Sequence, residues 1–326
     1  MKVFKKILSI LLRIGISLAL LIFLLRQVDK KALWEIISSA HKGMLAFAFL
    51  AFFLNYLFCL FRWKMLLKTA GINIPLKRVI IAFSGGIFFN LFLPSTIGGD
   101  LVRTVDLSVY TGKPKEITAT VFLDRLSGYF GLGLISLLAL GLGYRHIQDR
   151  SVLAAIFIIN IILVAILLVL FNNFFYAKIN KLLHSPTAGR IREAITSLHQ
   201  EMHIFRNHKS VIWNNLLVSV LIQITGPVVF YLTALSLGLK INIIYFLIFI
   251  PIIGAITLLP ISIGGLGLRD ASAIYFFAKI GLAKNLALAL SLLNFFFVLV
   301  CGLLGGIIYV LTIHHRRIQH HQPSSL

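Results

Sequence analysis

The sequence predicts an all-α polytopic membrane protein with about six full spans and two broken or re-entrant helical hairpins in an inverted-repeat arrangement. Hydrophobic residues make up 59% of the 326-residue chain and charged residues only 13%. Soluble domains carry about a quarter charged residues. Mean hydropathy is +0.96, and apolar runs near the ~20 residues that cross a bilayer recur along the chain. The runs lack the alternating pattern of an outer-membrane barrel.

The apolar runs are separated by short polar or basic segments, which set the order of the elements. A short amphipathic helix at residues 29–40 suits the membrane interface. The second span ends in an aromatic and basic anchor that is typical of a cytoplasmic boundary, formed by Arg62, Trp63, Lys64 and Lys68. The predicted spans and hairpin arms are residues 7–25, 43–61, 79–93, 100–110, 117–143, 152–171, 211–237, 243–259, 268–279 and 282–313.

Two of the shorter runs end in nearly the same motif. The pattern L-P-x-[ST]-I-G-G-x-x-x-R starts at Leu93 and returns at Leu259. The copies lie 166 residues apart, about half of the chain. Proline interrupts a helix, so we expect helix breaks at Pro94 and Pro260. We therefore predict one transmembrane domain over residues 1–326, in which a cytoplasmic amphipathic segment, 172–209, joins pseudo-halves 1–171 and 210–313.

Charge places the segments relative to the membrane. The formal net charge is +21, which would suit nucleic acid, but the basic residues flank the apolar runs instead of forming one stripe. That distribution favours the positive-inside bias of a membrane protein. Counting crossings puts both termini in the cytoplasm. One hairpin then opens from the cytoplasm and the other from the far side, which is the inverted repeat of alternating-access carriers. We expect a multi-pass protein of the bacterial inner membrane.

Six ionisable residues lie in or beside apolar segments. Each costs a few kcal/mol in the membrane, so such groups usually pair or face a cavity. Structural pairing, for example of Arg269 with its neighbour Asp270, and contact with a substrate are both open and are compatible. The six residues are Asp100, Arg103, Asp124, Arg125, Arg269 and Asp270.

The paired glycines of the two motifs could make each helix break a binding site for an anion. Gly98-Gly99 and Gly264-Gly265 permit positive φ and close approach of backbones. Each pair precedes a helix, whose free N–H groups and positive end favour a phosphate or carboxylate. Arg103 and Arg269 could add a bidentate clamp. The alternative is that the glycines serve only a tight turn and helix packing.

No catalytic, metal or cofactor motif stands out. His199 and His203 are four residues apart but have no third ligand at an obvious spacing. The chain contains no H-E-x-x-H, G-x-S-x-G or P-loop pattern. We therefore expect neither a metal nor a cofactor, and we expect a protein that is not an enzyme.

Three stretches resemble the flippase-like transmembrane family, the membrane region that precedes the lysylphosphatidylglycerol synthase domain and also occurs in stand-alone YbhN-like proteins. They are Pro94 to Arg103, Phe122-Leu123-Asp124-Arg125-Leu126, and Pro260 to Asp270. The resemblance implies lipid translocation between leaflets. Family members are also linked to glycolipid and polyprenyl-lipid pathways, so the resemblance does not identify the substrate of this chain. Nothing after Ile313 could fold into a synthase, so we expect no aminoacyl transfer.

From these observations we predict a lipid flippase or transporter that moves an anionic phospholipid or a lipid-linked headgroup between leaflets. The candidate substrate-binding residues are the glycine pairs Gly98, Gly99, Gly264 and Gly265 and the six charged residues, with the aspartates as proton-relay candidates. We expect membrane lipids and no nucleic acid as partners; a second copy of the chain and an envelope-biosynthesis protein stay open. The alternative is a membrane-embedded enzyme, or an accessory subunit, that acts on glycolipid or polyprenyl substrates.

Overall fold

The computed structural model is helical throughout the part of the chain that it describes. That part comprises residues 15, 19–27, 29–93, 98–143, 149–182, 196, 209–259 and 261–320, with side chains in the last helix described up to residue 312. Within it, five helices are long and apolar enough to cross a membrane. The sixth predicted span, 7–25, lies largely outside the described residues. The prediction of an all-α polytopic membrane protein is confirmed.

The long helices run through or beyond the predicted spans by a few residues at most ends. The largest differences are at α2, which continues past residue 61, and at the last helix, which continues past residue 313. In chain order the spanning helices are α2 (Lys42–Thr69), α5 (Pro114–Gly143), α6 (Arg150–Phe171), α8 (Lys209–Ser236) and α11 (Lys284–His320).

Six shorter helices complete the described part of the chain. The predicted interfacial helix is present, and Asp29 caps it by accepting a hydrogen bond from the backbone N–H of Lys31 at 2.8 Å. Its buried Leu33 packs with Leu288 and Ala289 of α11. The shorter helices are α1 (Lys30–Ser38), α3 (Leu76–Asn90), α4 (Gly98–Thr111), α7 (Asn173–Leu182), α9 (Ile243–Thr257) and α10 (Leu268–Ala278).

Helices α3 and α4 form a first hairpin and α9 and α10 a second. Each hairpin is interrupted where the motif predicts. In the first hairpin, α3 ends at Asn90 and α4 begins at Gly98; in the second, α9 ends at Thr257 and α10 begins at Leu268. Pro94 and Pro260 themselves lie outside the described residues. Both hairpins are therefore broken helices rather than continuous spans.

Glycines bring the first hairpin together and hold it against α11. A Cβ built on Gly99 would lie 1.9 Å from the carbonyl oxygen of Gly86, so only glycine fits this crossing. On α11, a Cβ at Gly305 would lie 2.8 Å from the carbonyl oxygen of Ser84. Small residues that let helix backbones approach are the usual means of packing helices in membranes.

The tips of the two hairpins meet. A Cβ built on Gly264 would lie 3.6 Å from the carbonyl oxygens of both Asn90 and Leu91. Leu91 in turn contacts Gly302, where a Cβ would lie 2.6 Å from the Leu91 side chain. Gly302 is near the middle of the spanning stretch Lys284–Thr312. The two helix breaks thus lie together, midway along α11.

From that meeting point the hairpins extend towards opposite ends of α11. The first hairpin extends towards the C-terminal end, because Gly85 packs on Tyr309. The second extends towards the N-terminal end, because Asp270 accepts a hydrogen bond from Ser291 at 2.6 Å. The long helices α2 and α8, one from each predicted pseudo-half, pack along one another. The division of the chain into two pseudo-halves stays a prediction.

Candidate functional site

Five charged side chains from three helices form one buried network, which we call the arginine network. Asp124 of α5 accepts hydrogen bonds from Arg62 Nε of α2 and Arg103 Nη2 of α4, both at 2.8 Å. Arg103 Nη2 also lies 3.0 Å from Asp100 Oδ1 on its own helix, and Arg125 Nε donates to Asp100 Oδ2. The network thus ties the first hairpin to two spanning helices.

The arginine network is not electrically balanced. In the described part of the chain, three guanidinium groups face two carboxylates, so the ionised network formed by these five residues carries one positive charge in excess. Arg62, Asp100, Arg103 and Asp124 are each at most 7% exposed. The side chain of Arg125 is 30% exposed and is the most accessible member. An uncompensated charge at such depth is costly unless an anion or water reaches it.

Arg103 is held by aromatic rings as well as by carboxylates. Its guanidinium lies 4.5 Å from the ring centroid of Trp63 and 5.6 Å from that of Phe83, and such cation–π contacts fix its plane. Trp63 is itself anchored, because its indole N–H donates to Thr120 Oγ1 at 3.3 Å. Among the described residues, the Nε and Nη1 atoms of Arg103 have no hydrogen-bond partner, and both atoms are buried. Arg103 therefore keeps unused hydrogen-bonding capacity.

Two residues of the predicted boundary anchor, Arg62 and Trp63, are buried and so do not act as exposed anchors, whereas Lys64 is half-buried and Lys68 is exposed. Helix α2 continues to Thr69, so Arg62 and Trp63 lie inside the bundle and are 5% and 0% exposed. Arg62 fits there because Gly128 of α5 has no side chain; a Cβ would lie 3.3 Å from Arg62 Nη1. Arg62 is therefore a member of the site that the sequence reasoning missed.

A signal for Arg62 exists in the spacing of polar residues. Asn215, Ser219 and Gln223 recur every four residues along the otherwise apolar helix α8, which places them on one face. The middle residue, Ser219, accepts from Arg62 Nη1 at 3.0 Å, and Gln223 donates to the carbonyl oxygen of Gly128 at 2.9 Å. A polar stripe of this kind indicates a buried partner on a neighbouring span.

The start of α4 has a partner within the protein. The backbone N–H of Gly99 donates to Asn90 Oδ1 at 2.7 Å. This differs from the expectation that the amides at both helix starts are free. An anion at this break would share the helix end with Asn90, and the positive end of the helix still faces it. The assignment of Gly98 and Gly99 to substrate binding stays a prediction.

The second motif forms a separate, balanced cluster on α10 and α11. Arg269 Nη2 pairs with Asp270 Oδ1 at 2.9 Å, and Arg269 Nε donates to Ser291 Oγ at 3.1 Å. The Arg269 guanidinium also lies 4.9 Å from the ring centroid of Phe295. Asp270 is fully buried. Pairing between these neighbours, one of the two readings of the sequence, is present; substrate contact by either residue stays a prediction.

Glycine geometry also differs in the second motif. Gly264 and Gly265 have φ of 58° and 75°, a left-handed conformation that favours glycine. They lie in the turn, because α10 starts only at Leu268. The N-cap residue Gly267 donates its N–H to Asp270 Oδ2 at 2.9 Å. The acid of this motif therefore caps its own helix.

A polar contact joins the second hairpin to the helix that follows α5. Lys279, at the end of α10, lies 2.6 Å from Asp149, the N-cap of α6. Hydrogen bonds from Lys279 and Ser151 hold the pKa of the Asp149 carboxyl well below its usual range. The same contact raises the pKa of Lys279. Ser151 Oγ and Tyr275 Oη lie 3.3 Å apart beside it.

In the part of the chain that the structure describes, no three His, Cys, Asp or Glu side chains are grouped so that they could hold a metal ion. His199 and His203 lie outside that part. The expectation of no metal and no cofactor stays a prediction.

Comparison with known proteins decides the family. Residues 10–306 match the family model described as "Lysylphosphatidylglycerol synthase TM region". The chain belongs to this family. It is also 24% identical over 322 residues to a "UPF0104 membrane protein" of Pyrococcus horikoshii, which covers 92% of this chain and 95% of that relative. The resemblance inferred from the motifs is thereby confirmed.

Membership and helix composition together establish a multi-pass membrane protein of a lipid-related family. The matched residues 10–306 contain both motifs, the arginine network and the Arg269–Asp270 cluster.

Proposed function

We propose that the protein is a lipid transporter that moves an anionic headgroup, of a phospholipid or of a lipid-linked phosphate, between the leaflets of the bacterial inner membrane. The observation that carries the proposal is the excess positive charge of the arginine network, buried beside the first helix break. In this reading the protein catalyses no covalent step, and its substrate leaves chemically unchanged.

A phosphate is the ligand that suits the network best. Guanidinium groups present paired donors that match phosphate oxygens. Among the described residues, two buried nitrogen atoms of Arg103, Nε and Nη1, have no hydrogen-bond partner, and Arg125 is partly accessible. A single negative charge would balance the three arginines and two aspartates, which removes the cost of an uncompensated buried charge.

The opposed hairpins suggest how the site could be reached from both leaflets. We infer an inverted repeat in which the first hairpin opens to the cytoplasm, where basic residues such as Lys77, Lys113 and Lys115 flank it. The second hairpin would open to the other face. Rocking of one hairpin against the other around the meeting tips would then expose the headgroup to one side at a time.

The proposal is tested with purified protein in liposomes that contain fluorescent phosphatidylglycerol. Dithionite added outside quenches only the outer-leaflet label, so continued quenching measures translocation. We expect translocation to be faster for phosphatidylglycerol than for zwitterionic phosphatidylcholine. Arg103→Gln should slow it at least ~10-fold, the factor that corresponds to about 1.4 kcal/mol. Arg78→Gln is the matched control, because Arg78 is equally buried and pairs with Asp106 outside the network.

Equal quenching with and without protein would refute transport of this lipid. Loss of translocation in the Arg78 control to the same extent as in the Arg103 variant would show that the network has no special role. Chemical conversion of the probe lipid, detected by mass spectrometry, would favour the enzyme alternative. Absence of both transport and conversion, with a copurifying enzyme of envelope biosynthesis, would favour an accessory subunit.

A further inference from the structure

We propose that a polar contact between α10 and α6 is a latch that holds the second hairpin closed, and that this hairpin is the element that swings away to open the site. We call the contact the outer latch; it consists of Asp149, Ser151, Tyr275 and Lys279. The inference rests on the proposed function, for which it identifies the moving element and the contact that restrains it.

The outer latch joins two side chains at the end of α10 to two side chains at the start of α6. Lys279 Nζ lies 2.6 Å from Asp149 Oδ2, and Tyr275 Oη lies 3.3 Å from Ser151 Oγ. Tyr275 and Lys279 are about one helical turn apart and so share a face, and Lys279 Nζ lies 4.5 Å from the Tyr275 ring centroid. Helix α10 packs along α9 and α11, and the latch gives it a polar connection to α6.

The latch lies at the end of the second hairpin that is distant from the helix breaks. Lys279 comes shortly before Lys284, the first residue of α11, whereas the tips of the two hairpins meet midway along α11, near Gly302. A hairpin that pivots at its tip moves furthest at this distant end, so a contact here restrains the motion most effectively. In the topology inferred for the protein, this end faces away from the cytoplasm.

The first hairpin is held in a different way. Arg78 Nη2 lies 2.6 Å from Asp106 Oδ1, which joins α3 to α4 within the hairpin. Its link to α5 is the pair of Arg103 with Asp124, whose side chains are only 4% and 5% exposed. Separation of that pair would leave buried charges without a partner, which is costly.

The outer latch is easier to open than the arginine network. The side chains of Lys279 and Asp149 are 20% and 37% exposed, so water can replace each partner when the contact breaks, and such pairs contribute little. The second hairpin is therefore the one that can leave its neighbouring helix and return to it at low cost.

Buried residues behind the latch report whether the hairpin moves. Val152 of α6 follows Ser151 and is fully buried, in the same apolar cluster as Phe276 and Phe277 of α10. Separation of α10 from α6 would admit water from the outer face to this cluster. The reactivity of a cysteine at position 152 therefore measures the population in which the second hairpin is open.

The test uses Val152→Cys protein in lipid nanodiscs, with Cys59 and Cys301 replaced by alanine, and a charged maleimide that does not enter the bilayer. We expect Lys279→Gln to raise the labelling rate about fivefold, the factor for an ion pair at the upper end of the usual range. Asp149→Asn should raise it equally, because asparagine caps α6 as well as aspartate does. The double variant should give no further increase, since both substitutions remove one contact.

A cysteine at Val79 of α3 is the matched control, because Val79 is as fully buried as Val152 but belongs to the first hairpin. Its labelling rate should be the same with and without Lys279→Gln. An equal increase at both positions would mean that the substitution loosens the whole fold, and would overturn the proposal. An unchanged rate at position 152 in both latch variants would overturn it as well.

A second measurement joins the latch covalently. In the variant with Ser151→Cys and Tyr275→Cys, a short bifunctional thiosulfonate should stop the translocation of fluorescent phosphatidylglycerol, and a reductant should restore it. A monofunctional thiosulfonate on the same variant should leave translocation intact. Undiminished translocation after complete cross-linking would overturn the proposal. Because cysteine labelling needs no transport, faster labelling at position 152 in a protein that moves no lipid would support the latch and refute the proposed function.

Discussion

The two hairpins carry the same motif but place its arginine in different electrostatic settings. Arg103 reaches across to Asp124 of α5 and shares that carboxylate with Arg62. Arg269 pairs with the adjacent Asp270 and with Ser291 of α11. The first setting has an excess of positive charge, and the second is neutral. The surrounding helices, rather than the motif, determine what each arginine does.

The glycines differ in the same way. Gly99 is required because the backbone of Gly86 passes too close for any side chain. Gly265 is required because its φ is 75°, although its nearest neighbour lies 3.6 Å from a built Cβ. One hairpin therefore uses glycine for packing and the other for a turn. The same motif letters therefore meet a steric requirement in the first hairpin and a backbone requirement in the second.

The largest effect on stability is expected for Asp124→Asn. The substitution leaves Arg62 and Arg103 without their shared buried carboxylate, which should cost about 3–5 kcal/mol. The free energy of unfolding in mixed detergent micelles measures it. Adding Arg62→Gln should recover part of the loss, because the second substitution removes a buried positive charge. No recovery in the double variant would contradict an electrostatic origin.

Gly99→Ala should have the next largest effect, a destabilisation of about 3 kcal/mol, since the new methyl group would overlap the Gly86 carbonyl and force the hairpin apart. Gly265→Ala, its counterpart in the second motif, should cost only about 1–2 kcal/mol from backbone strain. The same unfolding measurement ranks the two. Equal costs would show that the hairpins do not differ in the role of glycine.

Asp270→Asn should cost less than Asp124→Asn, about 1–2 kcal/mol. The asparagine oxygen can replace only one of the two carboxylate oxygens, so it keeps the hydrogen bond from Ser291 or the one from the N–H of Gly267 but not both, while Arg269 keeps its stacking on Phe295. Translocation should change less than in the Arg103 variant. If Asp270→Asn cost as much stability as Asp124→Asn, the buried charge of Arg269 would depend on Asp270 as strongly as the arginine network depends on Asp124, and the contrast between the two clusters would be wrong.

The smallest effect is expected for Lys279→Gln, which removes the half-buried ion pair with Asp149. Because the pKa of Asp149 is lowered in the folded state, the pair contributes fully above the unfolded carboxyl pKa of ~3.9 and is lost as pH falls further. Because the pKa of Lys279 is raised, the contribution persists up to ~10.4 and is lost above the folded pKa. The melting-temperature difference between variant and parent should be constant within that window and shrink with added salt.

Much of the fold follows from residue type and spacing. The length and apolarity of the five described spans, the short helix Lys30–Ser38 and the interruption of both hairpins agree with predictions from local sequence. The pairing of Arg269 with Asp270 is one of the two readings that the sequence left open. Arg62 shows the limit of such prediction. A basic residue directly after an apolar run is equally compatible with an interface anchor and with a buried ion pair. Only the packing of α2 against α5 and α8 distinguishes the two.

The sequence by itself determined that this chain spans a membrane repeatedly, because apolar length and charge distribution are properties of each segment alone. It also determined where the two helices break, because proline and glycine act on their local backbone. Only the tertiary structure decided that Arg62, Arg103 and Arg125 share two carboxylates and that Arg62 reaches Ser219 of α8. Those outcomes depend on which helices become neighbours, and side chains distant in sequence become partners only through that packing.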